Sequence, residues 1–292
     1  MNIKLRILEL ATKVNQAQRL LATYESLVGE TQFTPKMRVD DKIRNFQLDE
    51  DDRKGYVLLP LIPGYRSLCL RFCVLGHAFR VNGYEPIVLR DDKDLPARPE
   101  LTVDKDKEEK SATVEGVRYM SKRYPKSFGI ETVSIGGVLG SGYQYPDVGR
   151  LEEEELRSFT YRGIDLSGCA KASTKKYLKR YTLDMTDPEI RNTFKDFLRG
   201  GAMLTDATRE ILDRYDIKVS VVNEANYIQG RVPLDICERN DINVYTQVKG
   251  YHQGKIIFGN SDNRNYMPQF GDDETTAKAV DTELSEQQRE RI

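Results

Sequence analysis

Apolar positions recur along residues 2–28 in alternating steps of four and three: Ile3, Ile7, Leu10, Val14, Ala17, Leu21, Tyr24 and Val28. That spacing predicts an amphipathic helix with a heptad seam. Residues 29–54 break the pattern with Gly29, Pro35 and many charges, and the run Asp49 to Asp52 is expected to be fully solvated. At Tyr56 the character changes. Tyr56 to Ile62 is a short apolar run bounded by turn residues, as a buried parallel strand requires, with Pro60 as its one blemish. A helix from about Ser67 to Val81 follows, closed by Asn82-Gly83, and Glu85 to Leu89 is the next strand. This is one βαβ unit.

Further along, Asp91 to Ala112 is polar and proline-bearing and predicts a mobile excursion. A helix from Val114 to Arg123 is expected to end before Pro125, with a third strand over Ile130–Ile135 and a glycine-rich loop over 136–146. Residues 167–180 look helical. Thr186-Asp-Pro-Glu189 reads as a capping box, so a long helix should start near Asp187 and break at Gly200-Gly201. The last third repeats the pattern: a strand at Ile217–Val222, a loop at Asn223–Gly230, a helix at Val232–Arg239, a strand at Ile242–Val248 and a further one at Lys255–Phe258. Residues 271–292 hold almost no large apolar side chain and cannot form a core element. The predicted fold is therefore α/β: a Rossmann-like, doubly wound, mainly parallel sheet with an N-terminal amphipathic helix. It divides into helix and linker (1–54), the Rossmann-like body (55–270) and a polar tail (271–292).

Composition narrows the function classes. The 292 residues carry 45 Lys+Arg against 46 Asp+Glu, so no net field draws nucleic acid or an anionic membrane. No basic stripe is interleaved with the tyrosines, and nucleic-acid binding is not expected. No apolar run is long enough to span a bilayer, and charges interrupt the first residues where a signal peptide needs an apolar stretch. Four cysteines without a secretory signal read as reduced thiols, which predicts a cytoplasmic location.

Candidate chemistry lies in loops after strands, where open α/β sheets bind ligands. Pro63-Gly64-Tyr65-Arg66-Ser67 offers close backbone approach at Gly64, a helix N-terminus, and a guanidinium at Arg66 for an anion. A tight turn that merely feeds a helix explains the same residues. Neither Gly-x-Gly-x-x-Gly nor a P-loop is present, so no nucleotide cofactor is expected. Cys69, Cys73 and His77 are spaced along one helix, but its rise puts the outer two roughly 12 Å apart, too far for one ion. No metal is expected. The segment from Asn223 to Gly230 gathers Asn223, Glu224, Asn226 and Tyr227, which suits hydrogen bonding to several hydroxyls, as a sugar requires. Glu224 is the first choice for a general base, and His252, in a loop between two glycines, is the second. A polar surface loop that caps the following helix is the competing explanation.

Two stretches carry a family resemblance. Residues 56–89, "YVLLPLIPGYRSLCLRFCVLGHAFRVNGYEPIVL", resemble the first βαβ unit of GT-B glycosyltransferases, with "NGYEP" before the second strand. Residues 217–260 are similar to the end of the N-terminal domain in glycosyltransferases of surface or capsular polysaccharides, where a polar loop ends "Y-x-x-G"; Tyr227, Gly230 and Gly250-Tyr251 match that outline. "FTYRGIDLSGCAKASTKKYL" (159–178) has the same flavour. The resemblance implies an acceptor-side half, taking a glycan or lipid-linked sugar, with Gly64, Tyr65, Arg66, Asn223, Asn226, Tyr227 and Gly230 around the acceptor. It also implies work at the cytoplasmic side, peripheral to the membrane. Because no second set of strands follows, the expectation is a unit without its nucleotide-sugar domain: a truncated chain, a subunit completed by a nucleotide-sugar-binding partner chain, or a binding remnant, with no sugar transfer by this chain alone. The rival readings are a non-catalytic glycan-binding or assembly module, and a stand-alone Rossmann enzyme of another class. The heptad seam is expected to pack on its own domain or to form a dimer through residues 2–28.

Overall fold

The apolar run at 56–62 becomes the centre of the sheet. In the computed structural model, which describes residues 41–62, 66–99, 118–249 and 256–260, strand β1 spans Gly55–Leu61. Val57, Leu59 and Leu61 are buried on one face, and Leu58 and Ile62 on the other. A strand covered on both sides has no use for alternation, which is why the sequence is apolar throughout. Helix α1 (Arg66–Val81) crosses to β2 (Tyr84–Arg90), and residues 118–127 form α2, which leads to β3 (Glu131–Ser134). After α3 (Ile135–Leu139), α4 (Glu153–Arg157), the β4–β5 hairpin (Thr160–Tyr161, Ile164–Asp165), α5 (Ser167–Leu178) and α6 (Pro188–Arg214), the chain re-enters the sheet as β6 (Ile217–Asn223). Helix α7 (Ile228–Arg239) then joins β6 to β7 (Asn243–Lys249), and β8 (Ile256–Asn260) returns.

The sheet order is β3-β2-β1-β6-β7-β8; the first five strands are parallel and β8 is antiparallel. Helix α1 packs one face through Leu68, Cys69, Phe72 and Cys73, with Tyr124 and Phe128 from the α2 side, while α6 and α7 cover the other face through Phe197, Leu204, Val232 and Leu234. This is the doubly wound Rossmann-like architecture that the pattern predicts. Strand order reverses between β1 and β6.

Several local expectations are corrected. Helix α6 does not break at Gly200-Gly201. A Cβ at Gly201 would lie 3.0 Å from Ile228 Cδ1 and 3.1 Å from Leu166 Cδ2, so the glycine lets neighbours approach a continuous helix. The N-cap of α6 is Asp187, whose carboxylate accepts Glu189 N–H at 2.9 Å, while Thr186 Oγ1 donates to Asp184. Helix α2 runs through Pro125, which sits in its last turn between buried Tyr124 and Phe128. The expected loop at 136–146 opens with α3, because Ser134 Oγ caps Gly137 N–H. Residues 91–99 are not a mobile excursion: Asp91, Leu95 and Arg98 are buried, and the Asp91 carboxylate accepts Asp94 N–H, Leu95 N–H and Arg98 Nε. Helix α7 starts a turn earlier than expected, which shortens the 223–230 loop to 224–227. The N-terminal seam, residues 100–117 and the polar tail lie outside the described residues.

Candidate functional site

The strand-order reversal, where open α/β sheets form their ligand crevice, carries a proline. The β1–β2 ladder runs the full length from Gly55 to Leu61, but the β1–β6 ladder covers only Tyr56, Val57 and Leu58. Two residues further on stands Pro60, which has no N–H to extend a ladder. The two strands are therefore not paired with each other at their carboxyl ends. Ligands bind open parallel sheets at this position. The segments that carry Arg66 and Glu224 both leave this edge, one after β1 and the other after β6. Gly64, Tyr65 and His252 lie outside the described residues, as does the Arg66 side chain.

After β6 the chain turns sharply. Glu224 adopts φ 50°, a left-handed conformation that side chains other than glycine rarely take. This lifts the Glu224 carboxylate to partial exposure, 3.8 Å from Lys176 Nζ of α5. The same ammonium stands 4.0 Å over the Tyr227 ring. Burial, and then the charge of Glu224, push the Tyr227 phenol above its ordinary range. Tyr227 is the N-cap residue of α7 and Ala225 is buried beneath the turn. The first N–H of α7, at Ile228, donates to Ser173 Oγ at 3.1 Å. One of the helix's open donors is thus occupied by protein instead of awaiting an anion. Gly230 serves packing: a Cβ there would meet the carbonyl oxygens of Asn223 and Glu224 at 2.5 and 2.7 Å.

Asn226 leads into a cavity of about 270 Å³ lined also by Asp165, Gly168, Cys169, Ala225, Arg231 and Asp235. Burial raises the Asp235 carboxyl above its usual range, although Arg231 lies 2.7 Å away. Asp165 Oδ1 is occupied by Ser167 N–H and Oγ. A larger groove of about 620 Å³, lined by Lys54, Tyr84, Asp216 and Asn243, lies where β2, β6 and β7 begin. That is the amino edge, away from the loops of the crevice.

Lys176, Asp165, Asp235 and Gln247 were not singled out by sequence reasoning. Gln247 left no trace, because it falls on the polar side of an alternating strand with Asn243 and Tyr245, and only the fold shows it buried. Among the described residues, no group of His, Cys, Asp and Glu could hold a metal ion. Cys69 and Cys73 are core residues, and His77 meets Phe46 edge-on with ring centroids 6.0 Å apart. No described helix is long and apolar enough to cross a membrane.

The fold and crevice define a Rossmann-like α/β unit with a polar site at its switch point. Compared with family models and with curated proteins, the chain matches neither.

Proposed function

We propose that this unit is the acceptor-side domain of a glycosyltransferase acting in surface-glycan biosynthesis. Its ligand is a hydroxyl-rich sugar, free or lipid-linked. The observation that supports this is the composition of the opened crevice. Asn223, Asn226 and Tyr227 supply neutral hydrogen-bonding groups, and Glu224 supplies one accessible carboxylate, with no glycine-rich phosphate loop beside them. Neutral amides and a phenol match sugar hydroxyls, whereas a nucleotide cofactor needs fixed backbone donors for its phosphates. In this reading Glu224 accepts the proton of the acceptor hydroxyl as its oxygen bonds to the anomeric carbon of a nucleotide-sugar donor. The bond from that carbon to the nucleotide diphosphate breaks, and the diphosphate leaves with the electron pair. Lys176 steadies the Glu224 carboxylate.

Calorimetric titration with a panel of methyl and octyl glycosides, set against UDP and NAD, tests this. Glycosides are expected to bind and the free nucleotides to bind far more weakly. Nucleotide binding without any glycoside binding would overturn the proposal.

A further inference from the structure

Strand β7 lies beside β6, in parallel, with Asn223 directly opposite Gln247 in the register. Alternation puts Asn223 on the face that also carries Val219 and Val221, and Gln247 shares that face, beyond the exposed Asn243 and Tyr245 of the same strand. Gln247 is fully buried and Asn223 is 6% exposed. Neither Gln247 Nε2 nor Oε1 has a hydrogen-bond partner in the protein, and Asn223 Nδ2 has none either. Two amide donors and one amide acceptor are thus gathered, unpaired, in one register pair at the carboxyl edge.

No group among the described residues pairs with these three amide atoms. A valine or leucine would fill a central-strand position at no polar cost, whereas a buried amide without a partner lowers stability. Native proteins pair nearly all such groups, and the exceptions concentrate where function requires them. The pair is neutral, so it suits an uncharged ligand. Each amide offers N–H₂ donors, and the Gln247 carbonyl adds an acceptor, a set that matches a hydroxyl which both accepts and donates.

We infer that Gln247 and Asn223 together form an amide seat for one hydroxyl of the bound sugar, and that Gln247 is a specificity-determining residue of the site. This rests on the sugar reading above. In this proposal the Gln247 amide, buried beside Asn223, turns toward the rim that Asn223 forms when the sugar binds. A bound hydroxyl then supplies partners that the protein itself does not.

The test is Gln247→Met, which keeps volume and removes the amide. Without ligand, its melting temperature should rise by about 2–4 °C. Its affinity for the best-binding methyl glycoside should fall by about tenfold or more. Wild type should discriminate against one monodeoxy analogue of that glycoside, and the variant should bind both alike. A lower melting temperature, or failure to fold, would show that the amide holds the structure together and overturn the inference. Undiminished glycoside binding by the variant would overturn it while leaving the sugar reading intact. No glycoside binding by wild type overturns the sugar reading itself, and with it the ligand assigned to the pair.

Discussion

Gly230 lies so close to Asn223 that a single added carbon would stand 2.5 Å from the Asn223 carbonyl oxygen. The obstacle is backbone on both sides, so no side-chain rotation relieves it. Gly230→Ala should therefore cost about 1–3 kcal/mol, as overpacking does, and push residues 223–227 away from the crevice. Urea denaturation gives the first quantity and amide chemical shifts of the loop give the second. A variant with wild-type stability and an unmoved loop would contradict this contact.

Glu224 holds a strained conformation in return for its position. Glu224→Gly removes the left-handed strain and should leave stability unchanged or raise it by about 1 kcal/mol, while glycoside binding falls. The half-exposed pair with Lys176 contributes little to folding, so Lys176→Met should stay within about 0.5 kcal/mol of wild type in the same denaturation experiment.

Asp91 and Arg98 form a pair in which the carboxylate is almost fully buried, with 2.6 Å between Arg98 Nε and Asp91 Oδ2. Arg98→Ala leaves that charge uncompensated and should destabilise the protein by about 3–5 kcal/mol at neutral pH. Burial already holds the Asp91 carboxyl above its ordinary value, against the opposing pull of Arg98. With Arg98 gone the carboxyl moves further up. A carboxyl raised in the folded state binds its proton more tightly there, so its contribution is fully present below the unfolded value and is lost as pH rises through the folded one. The deficit of Arg98→Ala should therefore shrink toward the acid end, which melting curves between pH 4 and pH 8 would register.

The thiols should be silent. Cys69, Cys169 and Cys237 are buried, and burial pushes each up to about 12; Cys73 is raised likewise. Since the thiolate is the reactive form, a chromogenic disulfide reagent at pH 8 should titrate none of the four in the native protein and all four in guanidinium. Rapid native labelling of any one would contradict the packing.

The central strands were legible because they obey one rule: continuous apolar runs where both faces are covered, as in Val57–Leu61. Helix starts and stops were legible where a cap is local, as at Asn82-Gly83. What sequence reasoning missed depends on tertiary neighbours. Gly200 and Gly201 look like breakers until Ile228 and Leu166 are seen pressing on the helix. Asp91 looks solvated until Arg98 folds back on it. At the site, the 223–227 segment was visible as a polar cluster after a strand. The role of Gly230 and the pairing of Asn223 with Gln247 were not, because both arise from register and helix approach across distant segments. In the sequence Pro60 is only a blemish in a strand; in the ladder it stands where β1 and β6 part.

The account stands on the ligand entering at the carboxyl edge, between β1 and β6. Titrating isotope-labelled protein with the best-binding glycoside and following backbone amide shifts tests this directly. The account predicts that the largest shifts fall on Asn223 to Tyr227 and on Gln247. Shifts confined to Lys54, Tyr84, Asp216 and Asn243, around the larger groove at the amino edge, would contradict it.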